Sequence, residues 1–149
     1  MDESLINNYT QTDSLSSGQL ENKMPQNIEA EQSLIGSILF DNKVLEDLPS
    51  NFNIRYFFDP LHASIYEACI SLTDNGRLAD PLTLKNYLND SKLDRDIDVE
   101  QYLLDLREGV LSLSKAKFYA EEIRNCYVRR SLVRIADELI EHSINPNIE

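Results

Sequence analysis

Hydrophobic residues recur every three or four positions along most of the chain after Pro25, and this spacing is typical of amphipathic α-helices. The first helix is expected after Asn27, whose side chain can cap it. One of its faces is apolar and consists of Leu34, Ile35, Ile38 and Leu39. Glycine inside a helix costs about 1 kcal/mol relative to alanine, so Gly36 indicates that another helix approaches closely at this point.

Proline and glycine mark the ends of the next helices. A short helix is predicted over residues 43–48, and Pro49 ends it. Asp59-Pro60 and Asp80-Pro81 each predict a capping residue followed by proline in the first turn. Asn75-Gly76 ends the helix that begins at Asp59-Pro60. In the helix that follows Asp80-Pro81, the spacing predicts three inward side chains: Leu84, Tyr87 and Leu88.

A further helix is predicted from Asp98, and Gln101 three residues later makes a variant of the capping box. The longest helix follows, over residues 114–142. At 1.5 Å per residue it would run about 40 Å, whereas a compact domain of this size has a radius of gyration of about 15 Å. We therefore expect its far half to project and to pack on a partner. The candidate interface residues are Val128, Arg130, Leu132, Arg134, Ile135 and Leu139.

No segment alternates polar and apolar residues in the manner of a strand, so the fold class is predicted to be all-α. We expect a compact bundle of about six helices with a long projecting C-terminal helix. Residues 1–23 are polar and are predicted to be a disordered tail. The helical globular domain is expected over 24–113, the long helix over 114–142, and a C-terminal tail or linker over 143–149.

Charge narrows the classes of function. The 149 residues carry 14 basic and 26 acidic side chains, a net charge of −12, which repels the phosphate backbone and argues against a dedicated nucleic-acid module. Residues 115–142 differ, with 6 basic and 5 acidic side chains. Arg124, Arg129, Arg130 and Arg134 are the densest basic cluster there. A solvated face, a contact with an acidic partner protein and a contact with nucleic acid remain open for it.

The chain lacks a recognisable phosphate-binding loop, because its four glycines do not have the spacing that such loops need. No ATP hydrolysis is therefore expected from it. No apolar stretch approaches the roughly 20 residues that span a bilayer, and the N-terminus is unlike a signal peptide. Cys69 and Cys126 are interpreted as buried, reduced thiols of a cytoplasmic protein, with a disulfide or a metal pair as the alternative.

The remaining candidates for chemistry have structural explanations. His62 and His142 lack the spacing of zinc ligands. Glu29 and Glu31 point away from each other on a helix and are interpreted as acids that stabilise its positive end. A solvated acidic loop is predicted around four alternating acids, Asp94, Asp96, Asp98 and Glu100, which lack the glycine and glutamate of an EF-hand.

The order of several motifs resembles the N-terminal domain of the bacterial replicative DNA helicase, the DnaB family. Residues 25–37, PQNIEAEQSLIGS, are similar to that family's opening Pro-x-x-x-Glu-Ala-Glu-Gln-x-x-Leu-Gly, with Ile35 at the leucine position. Later matches keep their order and comprise Phe57-Phe58, His62, Ile65-Tyr66, Ala68, Leu72, Gly76, Asp80, Thr83, Leu88, Tyr102-Leu103, Leu106, Tyr119-Ala120, Ile123, Arg130, Leu132 and Arg134. Asp98-Val99 and Leu111 depart from the Gly-Gly pair and the proline that the family usually has.

The resemblance implies a scaffold role over residues 24–142. In this family the domain is a helical globule followed by a helical hairpin, and residues 114–142 would be the first hairpin helix. Hairpins pair subunits, and domain pairs form a collar on the hexamer that docks primase. ATP, magnesium and DNA are handled by a motor domain that lies C-terminal to the collar. Two other interpretations are a free-standing all-α interaction regulator and a small helical enzyme with a carboxylate site.

Overall fold

The computed structural model of the chain describes residues 23–89 and 97–145, and these contain six α-helices and no strand. The prediction of an all-α fold is therefore confirmed. The predicted tail, apart from Lys23, and Asp94 and Asp96 of the predicted acidic loop lie outside the described residues. The helices are α1 (Ile28–Phe40), α2 (Val44–Asp47), α3 (Pro60–Asp74), α4 (Pro81–Asn89), α5 (Val99–Glu108) and α6 (Ala116–Ile144). Short 3-10 turns occupy Ile54–Tyr56 and Leu113–Lys115.

The helix ends follow the capping chemistry of the sequence. Asn27 Oδ1 accepts a hydrogen bond from the Ala30 amide at 3.0 Å, and Asp59 Oδ1 accepts one from Leu61 at 2.8 Å. Gly76 ends α3 with φ of +68°, a conformation that favours glycine. These contacts place the starts of α1 and α3 and the end of α3 where the sequence predicts them.

The start of α5 shows that only half of its predicted capping box forms. Asp98 Oδ1 accepts the Gln101 amide at 3.2 Å, as expected. The Gln101 side chain, however, donates to Asp105 Oδ1 at 2.8 Å, one turn further along the helix. The reciprocal pair forms instead at α4, where the Thr83 amide donates to Asp80 Oδ1 and the Asp80 amide donates to the Thr83 hydroxyl.

Helix α1 lies at the centre of the domain and packs against α3, α5 and α6. Gly36 lies at the contact with the end of α5, where a Cβ atom would come within 2.2 Å of the Leu106 carbonyl oxygen. The close approach that this glycine predicts is thus confirmed. On α4, Leu84 and Leu88 are buried as expected, but the prediction for Tyr87 is wrong. Tyr87 is exposed, and its hydroxyl donates to Ser71 Oγ.

Helix α6 has a first half that packs on α1 and a second half that extends past the domain. Its buried residues all lie in the first four turns and are Ala116, Ala120, Ile123, Cys126 and Arg130. From residue 132 to residue 145 every side chain is exposed. The long helix is present over nearly the predicted span, and its far half carries no contact with the buried core.

Candidate functional site

The distal half of α6 presents an exposed apolar strip. Its members, Val128, Leu132, Ile135 and Leu139, are between 43% and 63% exposed. Their spacing of four, three and four residues keeps them on one side of the helix, as in the seam of a coiled coil. Large apolar side chains that line up in water usually mark an interaction site. We refer to these four residues as the α6 strip.

The α6 strip faces away from the domain to which the helix belongs. Each residue turns a helix by about 100°, which places the centre of the strip roughly 150° from the face that carries Ile123 and Arg130. Val128 illustrates the change, because it is exposed while Cys126 and Arg130 on either side of it are buried. Bending the helix back towards its own domain would therefore not cover the strip.

A second apolar row accompanies the strip and was not predicted from the sequence. Val133, Ile140 and Ile144 are also exposed, and they lie about a third of a turn around the helix from the strip. The centres of the two rows are about 130° apart around the helix, so this second row lies outside the α6 strip. The spacing of these three residues, seven and then four positions, is the sequence signal for this row. Charged residues at the intervening and preceding turns, Asp137 and Arg129, make that signal hard to recognise.

Arg130, one of the six interface candidates, does not belong to this exposed surface. It is only 7% exposed, and its guanidinium donates to the carbonyl oxygens of Pro25 and Tyr56, both at 2.8 Å. The guanidinium also lies over the rings of Phe58 and Tyr127, at 5.3 and 5.9 Å from their centroids. The interpretation of Arg130 as part of a solvated face is therefore wrong, because two backbone carbonyls and two aromatic rings surround its side chain.

The surroundings of Arg130 shift its pKa in both directions. Burial lowers the pKa of Arg130, the carboxylate of Glu31 opposes this shift, and the like charge of Arg134 adds to it. Arg134 itself is exposed one turn further along α6. The two arginines thus lie close together, as their spacing predicts, but only Arg134 is accessible.

A buried polar group joins four separate parts of the chain near the start of α1. Glu31 is almost fully buried, and its Oε1 accepts the amides of Phe58 at 3.0 Å and Asp59 at 3.2 Å. His62 Nδ1 lies 3.5 Å from the same oxygen, and His62 Nε2 lies 2.7 Å from the Tyr102 hydroxyl. Gln32 donates to that hydroxyl at 3.2 Å. The group connects α1, the turn before α3, α3 itself and α5.

This group corrects one interpretation and supports another. Glu31 does lie in the first turn of α1, but its role is to bind the amides of another segment, whereas Glu29 is an exposed helix-start acid as expected. His62 is fully buried and has a structural role, as predicted. Its ring stacks on that of Tyr102 with 6.2 Å between centroids. His62 Nδ1 is buried and makes no hydrogen bond among the described residues, whereas the other contacts of the group hold the helices together.

Both cysteines are free and buried. Burial raises the pKa of Cys69 to about 12, so its thiol stays protonated at neutral pH. Among the described residues, no group of three or more histidines, cysteines or carboxylates has a geometry that could hold a metal ion. In the same part of the chain, no helix is both long enough and apolar enough to cross a membrane.

Comparison with known proteins gives one consistent result. The family model of the DnaB-like helicase N terminal domain matches residues 23–125. The replicative DNA helicase DnaB of Rickettsia felis is 30% identical over 126 residues, which are 85% of this chain and 26% of that protein. The corresponding helicase of Treponema pallidum is 25% identical over 124 residues, 83% of this chain and 28% of that protein. The chain thus spans about a quarter of the length of these relatives.

A solved structure is similar to the fold as a whole. The crystal structure of the N-terminal domain of DnaB helicase from Mycobacterium tuberculosis superimposes with a TM-score of 0.71 and 28% sequence identity. The match covers 82% of this chain and 88% of the other. The residues that the family model matches end at 125, just before the α6 strip begins.

Proposed function

The chain belongs to the DnaB-like helicase N-terminal domain family, and from this membership we propose that it is a non-catalytic assembly domain that forms part of the collar of a helicase hexamer and docks primase. It would act in the cytoplasm during DNA replication. ATP hydrolysis and DNA translocation would belong to the part of a DnaB-type helicase that this chain does not match. The domain's contribution is a surface on which other chains assemble.

The observation that supports this proposal is the exposed α6 strip. Full burial of such a side chain is worth about 1.5–3 kcal/mol. The four side chains are between 43% and 63% exposed, so covering the remainder is worth about half of that each, or roughly 6–12 kcal/mol for two paired strips. Association costs roughly 4–15 kcal/mol, so two strips are sufficient for weak pairing of subunits. The strip is continuous with a helix that is anchored in the core, so a partner bound there is held in a fixed orientation to the domain.

Self-association through the strip is tested by sedimentation equilibrium of the full chain. We expect the wild type to form dimers that dissociate on dilution, and the double variant Leu132→Asp with Leu139→Asp to remain monomeric. The matched control is Val133→Asp with Ile140→Asp, which adds the same charge to the same helix outside the strip and should still associate. A monomeric wild type, or equal loss of association in both double variants, contradicts the proposed interface.

Primase docking is tested by isothermal titration calorimetry, in which the primase of the same cell is titrated into the chain. We expect saturable binding whose apparent affinity rises with chain concentration, because a collar presents paired domains. Leu132→Asp with Leu139→Asp should weaken this binding, whereas Val133→Asp with Ile140→Asp should not. Absence of binding at concentrations where the wild type is dimeric would overturn the docking role and leave the assembly role standing.

A further inference from the structure

A cationic, aromatic cleft lies on the side of the domain where α6 passes the 3-10 turn before α3. It encloses about 560 Å³ and is lined by Met24, Arg55, Phe57, Phe58, Tyr127, Arg130 and Arg134. Three arginines in one cleft are unusual for a chain with a net charge of −12. Arginine and aromatic side chains are also those that contribute most to protein recognition.

The accessible charge of this cleft is not compensated within the described part of the chain. Among the described residues, neither the ion pair of Lys85 with Glu100 nor the contact of His62 with Glu31 includes an arginine. Arg130 is occupied by two backbone carbonyls and cannot turn to a ligand without giving them up. Arg55 and Arg134 are exposed, and they are the two cations that a bound anionic group would contact.

The acidic end of the chain begins at the rim of this cleft. Residues 1–22 lie outside the described residues, and their sequence contains Asp2, Glu3, Asp13 and Glu21 without any basic side chain. They join the domain at Lys23, next to Met24 in the cleft wall, and Arg130 binds the following carbonyl, that of Pro25. A chain extends at most about 3.6 Å per residue, so the backbone of Glu21 is within about 11 Å of Met24.

We propose that the cleft holds the acidic segment 1–22 of the same chain, with its carboxylates against Arg55 and Arg134. The charge of the rest of the chain favours this location for the segment. Residues 23–149 carry 22 acidic and 14 basic side chains, so most of their surface repels an acidic segment. Attachment at the rim makes docking an intramolecular event, with an effective concentration on the order of millimolar. The docked state therefore needs no more than a weak contact to be visited, and its population depends on salt because the contacts are exposed ion pairs.

The docked state is tested by paramagnetic relaxation in the full chain. Ser17→Cys carries a nitroxide label, and the buried Cys69 and Cys126 do not compete for it. We expect the backbone amide signals of Phe57, Phe58 and Tyr127 to lose about half of their intensity in about 0.01 M salt. The loss should disappear in about 1 M salt, where the Debye length is about 3 Å.

Matched variants assign the contact to the cleft. Arg55→Gln with Arg134→Gln should abolish the signal loss, as should Asp13→Asn with Glu21→Gln. Arg124→Gln with Arg129→Gln removes the same charge from exposed positions of α6 outside the cleft and should leave the loss unchanged. Equal effects of both arginine pairs would mean unspecific attraction to a basic helix and would overturn the proposal.

A mixed sample tests whether the segment binds its own chain. An isotope-labelled chain without a nitroxide is combined with an equal amount of nitroxide-labelled chain. The second chain carries no isotope label, so its own signals are invisible to the experiment. The proposal requires that the amides of Phe57, Phe58 and Tyr127 keep their intensity in this mixture. Signal loss there would place the segment on a neighbouring chain, and no signal loss in either sample would leave the cleft without this occupant; both results contradict the proposal.

Discussion

The two halves of α6 have nearly the same share of apolar residues but different surroundings. Residues 116–130 contain 8 residues of the hydrophobic set in 15, and residues 131–144 contain 7 in 14. The first half contributes five buried residues, whereas the second half contributes none. Helix α6 packs on α1, and all of its buried residues lie between Ala116 and Arg130. The apolar content of a helix alone therefore does not show whether its apolar side chains are buried in its own domain or remain exposed.

The two halves of α6 should therefore have different energetic roles. Removing apolar contact from the first half should lower the free energy of unfolding of the single chain. Removing it from the second half should leave that free energy unchanged and weaken association between chains instead.

Truncation of one buried and one exposed residue of α6 gives the largest contrast. Ile123→Ala should lower the free energy of unfolding by about 2–5 kcal/mol, because it leaves a cavity against α1. Leu132→Ala should change it by less than about 0.5 kcal/mol in dilute, monomeric samples. Urea denaturation followed by circular dichroism measures both. Similar losses for the two variants would show that the distal half is also packed on its own domain.

Arg130 and Arg134 test where the first half ends. Arg130→Lys keeps the charge but cannot reach both carbonyls, and it should cost about 1.5–3 kcal/mol of unfolding free energy. Arg134→Lys, one turn later, should be neutral within about 0.5 kcal/mol. The measurement is the midpoint of urea denaturation at one chain concentration. Equal costs would extend the anchored half beyond residue 130.

Gly36 tests the packing that the first half depends on. Gly36→Ala should destabilise the domain by about 1–3 kcal/mol, since the new Cβ atom meets the backbone of Leu106 and the gain in helix propensity is only about 1 kcal/mol. The control, Gly109→Ala, places its Cβ atom 3.3 Å from the nearest atom and should cost less. Thermal unfolding of the two variants gives the comparison. A stabilised Gly36→Ala chain would mean that α1 and α5 are not in close contact.

Alkaline pH should weaken the core and leave the distal half of α6 unaffected. The thiol of Cys69 has an ordinary pKa of 9.0 and a pKa of about 12 in the fold. Between these values the unfolded chain has released a proton that the folded chain keeps, so stability falls as pH rises from 9 towards 12. The expected loss is about 1 kcal/mol per pH unit. Burial also raises the pKa of Tyr66, which acts in the same direction.

The Cys69 contribution is isolated by comparing denaturation curves at pH 8 and pH 10. Cys69→Ala should show a smaller loss of stability between the two pH values than the wild type. The free energy of unfolding that the substitution itself removes is present at both pH values, so it cancels in the difference between them. An identical pH dependence in both chains would mean that the thiol is reached by water in the folded state.

Much of the fold could be predicted because local chemistry determines helix ends. The caps at Asn27 and Asp59 and the turn at Gly76 depend on residues that are close in sequence, and all three form as expected. Tyr87 was placed wrongly because helical spacing shows only that it shares a side with Leu84 and Leu88. In the structure its hydroxyl donates to Ser71 Oγ at the surface.

The roles of charged residues could not be predicted, because they depend on distant segments. The guanidinium of Arg130 binds a carbonyl 105 positions earlier in the chain, and Glu31 binds amides 27 and 28 positions later. No spacing within one helix indicates such partners. The α6 strip, by contrast, follows from helix length and periodicity alone, and its exposure agrees with the prediction.

The most direct test of the two roles of α6 is hydrogen exchange, measured by mass spectrometry over a range of chain concentrations. We expect residues 116–130 to be protected at every concentration, and residues 131–144 to exchange rapidly in dilute samples and slowly in concentrated ones. Leu132→Asp with Leu139→Asp should remove the concentration dependence and keep the protection of residues 116–130. Equal protection of both halves at the lowest concentration, in the wild type and in this variant, would show that the strip is covered by its own domain and would contradict the account.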